Sequence, residues 1–357
     1  MPAVTPRPIV RDFGGLQGRP EVTFDPRTVF DFVISLNVAA GEEADLLPED
    51  AAWLRRARET LPAGLQRDLD KCFGETSMGA FHALPSVVLA RPDVEDAEGF
   101  MAAMQELQPD GLVRLLLADL LRQADADEMT DRILAGDSDA LDEAKVRFDE
   151  FNKGEIMTFL RDPVPAVARM VTVLEAWLPS YQQIEPRVRE MLDRDIAGRR
   201  QDRESLAQDA LLEKTTGGIR WLPEPRVRRI VMAPSYFARP YNYIYQGSDW
   251  RLFAYPVADT AIGPTDAGVP PQAVVRLYRA LGDVTRMRTL KLLADRDYYL
   301  TELAQHLELS KPTMKHHLAL LRAAGLVTVT EEGSLTYYSL RRERLEEAGV
   351  ELRRFIG

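Results

Sequence analysis

The stretch LTELAQHLELSKPTMKHHLALLRAAGLVTV, residues 300–329, decides how this chain is read. Thr301 offers a cap for a helix over 302–307, and Glu308-Leu309-Ser310 is short and polar, as a tight turn requires. Lys311-Pro312 then opens a second helix running to Ala324, with Ser310 as its N-cap and Pro312 in its first turn. Gly325 stands where such a helix ends on a left-handed residue. Met314, Leu318 and Leu321 recur at three-to-four spacing, so one face of the second helix turns to a core. Lys311, Thr313, Lys315 and His316 fall outside that stripe, near the N-terminal end.

Working outward, 274–281 and 285–293 carry helical patterns and 298–300 is β-like. Residues 327–330 and 335–340 alternate like two strands around Glu331-Glu332-Gly333-Ser334, and a last amphipathic helix carries Leu345, Leu352 and Phe355. Helix, short turn, helix and hairpin together predict a winged helix-turn-helix. The N-terminal end of the second helix in such a unit meets base edges in the major groove of DNA. Ser310, Lys311, Thr313, Lys315, His316 and His317 supply hydroxyl, ammonium and imidazole groups suited to base edges and phosphates. Arg322, about two turns beyond Lys315, is placed for the DNA backbone, as are Arg341 and Arg342 just past the wing. Glu331-Glu332 makes the wing tip acidic where phosphates favour a basic one, which shifts the expected weight of recognition to the helix.

Four strings in this region carry a family resemblance: Leu281-Gly282-Asp283-Val284-Thr285-Arg286-Met287-Arg288; Leu303-Ala304-Gln305-His306-Leu307; Leu309-Ser310-Lys311-Pro312-Thr313-Met314-Lys315-His316-His317-Leu318; and Leu321-Arg322-Ala323-Ala324-Gly325-Leu326-Val327. Over about 80 residues the chain resembles the ArsR-type winged-helix transcriptional regulators. The resemblance implies sequence-specific binding of double-stranded DNA, a homodimer on a palindromic operator, repression as the default, and a dimer contact formed by the helices over 272–281 and 343–356. Many such regulators sense metals through a cysteine pair on the first helix of the motif. Here that helix reads Thr301-Glu302-Leu303-Ala304-Gln305-His306, so no metal and no cofactor are expected. A weaker likeness, in Trp53-Leu54-Arg55-Arg56-Ala57-Arg58 and in the C-terminal position of the module, is to ArsR-type regulators with a long N-terminal domain of poorly defined role.

The rest of the chain differs in charge and texture. The 357 residues suggest about two domains at roughly 150 residues each. The whole carries a net charge of −11, but from Pro271 onward there are 14 Lys/Arg against 11 Asp/Glu. The preceding 270 residues, with 31 basic and 45 acidic groups, are expected to be repelled by polyanions. One cysteine, Cys72, excludes an intrachain disulfide and fits a reducing cytoplasm. No apolar run approaches the ~18 residues of a membrane span, and no secretory signal is expected. Residues 1–20 read as an extended lead-in. Residues 21–262 read as a large helical domain with a small antiparallel sheet or hairpin, 263–271 as a Pro/Gly linker, and 272–357 as the winged helix-turn-helix. The fold class expected is mainly α with α+β character.

The larger part carries no catalytic signature in its sequence. There is no G-x-G-x-x-G and no Walker A, and Gly74-Glu75-Thr76-Ser77-Met78-Gly79 has the wrong spacing for a nucleophile elbow. Cys72 and His82 are ten apart in a Gly-interrupted segment, and read better as a buried thiol and a satisfied histidine than as a dyad. Asp137-Ser138-Asp139 and Asp193-Arg194-Asp195 read as cap and surface charges. No enzyme is expected. Phe73, Met78, Phe81, Met101 and Met104 form an apolar group read as core. Eight of the 28 aromatics fall in 236–255, and Tyr241, Tyr243, Tyr245, Trp250 and Phe253 form a candidate wall for a small organic effector. The bland reading of that hairpin is a sheet face packed on helices. The runner-up for the whole protein is an effector-free scaffold whose winged helix docks a protein.

Overall fold

The computed structural model describes residues 20–41, 44–74, 78–107, 109–121, 126–147, 157, 159–247, 249–263, 270–332 and 335–357. Most of the expected 1–20 lead-in and of the 263–271 linker, and the wing-tip residues Gly333-Ser334, lie outside the described residues. The fold is mainly α with two small sheets, as expected. Close contacts divide it into two units. The larger joins 22–198 to 226–261, and the smaller joins 199–225 to 262–357.

In the larger unit, α1 (Thr28–Ala39) is buried at every position. Its run Val29–Ile34 is apolar except for Asp31, and a helix hydrophobic all round belongs in a core. Helices α2 (Pro48–Thr60), α3 (Ala63–Phe73), α4 (Met78–Ala90) and α5 (Ala97–Glu106) pack around it. Asp96 caps α5, accepting from the Gly99 amide at 2.9 Å. Then come α6 (Pro109–Leu121), α7 (Ala126–Leu134), α8 (Ser138–Arg147), the long α9 (Pro163–Gln182) and α10 (Glu185–Gly198). Phe32, Phe100, Tyr181 and Phe237 interleave edge-on and tilted at the centre, with centroid spacings of 5.1–6.5 Å where they meet, and Trp177 joins them through Trp53 at 6.0 Å.

The sheet of this unit has four strands in the order β1-β3-β5-β4, from β1 (Glu21–Phe24), β3 (Arg229–Ser235), β4 (Tyr243–Gln246) and β5 (Trp250–Pro256). The expected hairpin is present as β4–β5, antiparallel with Tyr245 opposite Leu252. The sheet around it is mixed, because β3 inserts parallel to β5, with Met232 opposite Phe253. Its apolar run, buried at six of seven positions, suits a strand covered on both faces.

The smaller unit holds the expected winged helix-turn-helix and something more. Its helices are α14 (Gln272–Leu281), α15 (Val284–Leu293), α16 (Leu300–His306), α17 (Lys311–Ala323) and α18 (Arg342–Ile356). Leu277, Leu303, Met314, Leu318, Leu321 and Leu326 are fully buried at their common core. The wing strands β7 (Val327–Glu332) and β8 (Leu335–Leu340) pair with β6 (Tyr298–Tyr299) on one side. On the other side β2 (Ile219–Trp221) pairs parallel with β7. It follows α11 (Arg200–Ser205) and α12 (Gln208–Thr215), while α13 (Asp259–Ile262) precedes the module. The sequence boundary at 262 placed this strand with the hairpin domain. The structure places it on the wing, because β7 presents an unpaired edge and Gly217-Gly218 lets the chain reach it.

Candidate nucleic-acid interface

Helix α17 is fixed by its ends. The Ser310 hydroxyl accepts from the Thr313 amide at 3.2 Å and lies 2.7 Å from the Thr313 hydroxyl, which confirms Ser310 as the N-cap. At the C-terminal end Gly325 adopts φ +74°. Its amide donates to Arg322 O at 2.8 Å and the Leu326 amide to Leu321 O at 2.9 Å, the Schellman pair. The preceding turn is built the same way on a residue with a side chain. Glu308 sits at φ +56°, with the Leu309 amide donating to Ala304 O at 2.9 Å. Thr301 is not the cap of α16. The helix starts at Leu300, two residues earlier than expected, with Tyr299 at its N-cap, and Glu302 Oε2 reaches back to accept from the Tyr299 amide at 2.9 Å.

Met314, Leu318 and Leu321 are each 0% exposed, which sets the rotation of α17 about its axis. That rotation leaves Ser310, Lys311, Thr313, Lys315 and His316 exposed together on the first turns. His317 departs from the group. It is half-buried against the N-terminus of α15, with Nδ1 4.0 Å from Asp283 Oδ1 and without a hydrogen bond. Burial holds its pKa below the ordinary value against the pull of Asp283, so it is a neutral residue at pH 7. Asp283 itself caps α15, and the Arg286 amide donating to it at 2.8 Å keeps its carboxyl below the usual range. Arg322 is half-buried on the last turn. Arg341 is half-buried behind the wing, its amide bonded to Leu326 O at 2.9 Å. Arg342 is exposed but donates to Ala294 O at 2.5 Å, closing the end of α15. The fixed positive charge of the exposed face therefore rests on Lys311 and Lys315.

The five aromatics read as an effector wall do not share a face. Tyr243 and Tyr245 sit opposite Ala254 and Leu252, so Phe253 projects to the other side of the sheet. Tyr245, Trp250 and Phe253 are buried and Tyr241 and Tyr243 half-buried. Their packing is that of a sheet interior.

The cap reading fits Asp137, but Asp195 is not a surface charge: it is 2% exposed and bonded within the fold. Asp195 accepts from the Tyr255 hydroxyl and the Ala258 amide, both at 2.8 Å, and Asp137 caps α8 through the Asp139 amide at 2.9 Å. Burial pushes the Cys72 thiol up to about 11, away from thiolate chemistry, and the side chain of His82 lies outside the described residues. The His306 ring stands edge-on to Tyr298 at 5.5 Å. Among the described residues no group of three or more His, Cys, Asp or Glu side chains gathers as a metal site. Among them, too, no helix is long and apolar enough to cross a membrane.

Comparison with known proteins falls on this same module. The family described as bacterial regulatory protein, arsR family, matches residues 283–329. The HTH-type transcriptional regulator CmtR of Mycobacterium tuberculosis is 44% identical over 80 residues, which are 22% of this chain and 68% of that protein. The transcriptional repressor SdpR of Bacillus subtilis is 33% identical over 72 residues, 20% of this chain and 80% of that protein. The transcriptional activator HlyU of Vibrio cholerae is 38% identical over 69 residues, 19% of this chain and 63% of that protein. With the helix-turn-helix geometry and these matches in one place, the chain belongs to the arsR family of bacterial regulatory proteins.

Proposed function

We propose that the protein is a homodimeric repressor that reads a palindromic operator with α17, the larger unit bracing the dimer and carrying any response to an effector. The observation that carries DNA reading is the exposed first turns of α17. Lys311, Thr313, Lys315 and His316 stand outward there while Met314, Leu318 and Leu321 are sealed into the core. Donors grouped at the N-terminal end of a helix are what a major groove takes. A dimer is supported by α14 and α18, which pack on each other and leave Tyr278, Leu345, Val350 and Phe355 36–39% exposed and Ile356 73% exposed. Relatives of both signs occur, a named repressor and a named activator. Repression is favoured here because occupying an operator achieves it alone, whereas activation needs a further surface for the transcription machinery.

In-vitro selection from random duplex DNA at two salt concentrations, run beside Lys315→Glu, tests this. The parent is expected to enrich a palindrome, with affinity falling linearly on a log–log salt plot. Lys315→Glu is expected to bind on the order of tenfold or more weaker with its fold unchanged, since a lost phosphate or base contact is worth roughly 1–3 kcal/mol. Enrichment of nothing by the parent would favour a winged helix that docks protein.

A further inference from the structure

The wing of this module has a third element on its β7 edge, and the edge is built for it. Strand β2 lies parallel to β7 with Ile219 opposite Val329, Arg220 opposite Thr330 and Trp221 opposite Glu331. The Val329 amide donates to Gly218 O at 2.9 Å. The approach is close, and the backbone there is one that glycine adopts readily. A Cβ on Gly218 would stand 3.3 Å from Thr328 Cγ2 and 3.4 Å from Val327 O, and its φ of +121° suits glycine alone. The Thr216 hydroxyl fastens the turn before the strand, donating to Leu212 O at 2.8 Å and accepting from the Ile219 amide at 3.0 Å. Ile219 and Thr328 are sealed at 2% and 1% exposure. On the outer side Glu213 holds Arg220 by Nε at 3.0 Å, and Lys214 pairs with Asp202 at 2.7 Å, tying α11, α12 and β2 into one piece.

This piece, residues 199–225, is bounded in the chain on both sides by segments of the larger unit, ending at Gly198 and resuming at Arg226. The larger unit is thus joined to the wing edge by two short covalent leads. A change of arrangement in the larger unit that moves either lead is carried along the chain directly to β2. We propose that β2 is a strap: seated, it holds the wing where DNA binding by α17 requires it, and its release is how the larger unit lowers DNA affinity. The strap gives two discrete arrangements, paired and unpaired, which is the kind of element that coupling between units needs. This rests on the reading of the module as a DNA binder.

The test uses the full chain as parent, as Gly218→Val, which strains the seated strand at φ +121°, and as the double variant Arg220→Cys/Thr330→Cys in a Cys72→Ser background, which can be locked across the facing pair by oxidation. Backbone hydrogen exchange over 326–332 and affinity for a selected duplex are read on each. Gly218→Val is expected to raise exchange in β7 on the order of tenfold while α17 stays protected, and to weaken DNA binding on the order of tenfold. The oxidised double variant is expected to protect β7 and to keep parental affinity. Raised exchange with unchanged affinity would overturn the strap, as would unchanged exchange in Gly218→Val, or loss of affinity in the locked form. Absence of DNA binding by the parent would instead overturn the DNA-binding reading, and the strap with it.

Discussion

Asp31 is the residue most at odds with its surroundings. It lies on the fully buried α1, where Oδ1 accepts from the Ser235 hydroxyl and from the Phe237 amide at 3.1 Å while Oδ2 is left without a hydrogen bond. Burial is the main cause that raises its pKa from an ordinary 3.8 to about 6, and the hydrogen bonds from Ser235 and Phe237 offset only part of it. A raised carboxyl pKa means that the folded protein binds more protons than the unfolded chain between pH 4 and 6. Stability from this group is therefore fully present below that window and falls as pH rises through it, by about 3 kcal/mol in all. Asp31→Asn keeps one acceptor oxygen and removes the titration. Denaturant unfolding of parent and variant at pH 4.5 and 7 is expected to differ in slope, the variant losing less stability across the interval. Parallel pH profiles for the two would show that Asp31 does not titrate there.

Among the elements, the recognition helix was legible in the sequence, and so was the strand at 219–222, but not the wing as that strand's partner, and the reasons are physical. Ser310, Pro312 and Gly325 each answer a local demand of helix ends, so a single chain position reveals them. The stripe Met314-Leu318-Leu321 is periodic, and every member is at 0% exposure. His317 was misplaced because its neighbour Asp283 comes from another helix, which no spacing within α17 reports. Strand β2 pairs with a partner more than a hundred positions away, too distant for a hairpin signal, so its residues report a strand without reporting what it pairs with. Phe253 was grouped with Tyr243 and Tyr245 although the two-residue period of facing strands sends it to the other side. At the end of α17 the local demand has a measurable size. Gly325→Ala would meet only an ordinary contact with Arg344 at 3.4 Å, so its cost comes from φ +74°. It is expected to destabilise the module by about 1–2 kcal/mol in denaturant unfolding, with Gly325→Asn losing less. An Ala variant as stable as the parent would remove the left-handed cap from the account of how α17 is held.

At the scale of the molecule, charge and apolar surface point in different directions. The first 270 residues carry an excess of 14 acidic groups, and the remaining 87 an excess of three basic ones. A single module with so small a surplus, and with Lys311 and Lys315 as the principal cations of its exposed helix face, gains little from phosphates against the field of the rest of the chain. Two modules on one duplex would double the contacts for one loss of translational freedom, so under the proposed function dimerisation is expected to decide whether this protein binds an operator. The surface proposed for it is α18 with α14, where Leu345 and Phe355 stand 39% and 36% exposed beside Tyr278. A carboxylate placed in such a patch on both copies is buried twice over and unpaired. The double variant Leu345→Asp/Phe355→Asp is therefore expected to sediment as a monomer where the parent is a dimer. It is also expected to bind the selected palindrome at least on the order of a hundredfold more weakly, with a salt slope about half that of the parent, since each half-site then contributes its phosphates alone. The N-terminal turns of α17 are untouched by these changes, so weak binding to a single half-site is expected to survive. A variant that stays dimeric, or one that becomes monomeric without losing affinity, would move the dimer contact away from these helices and onto the larger unit.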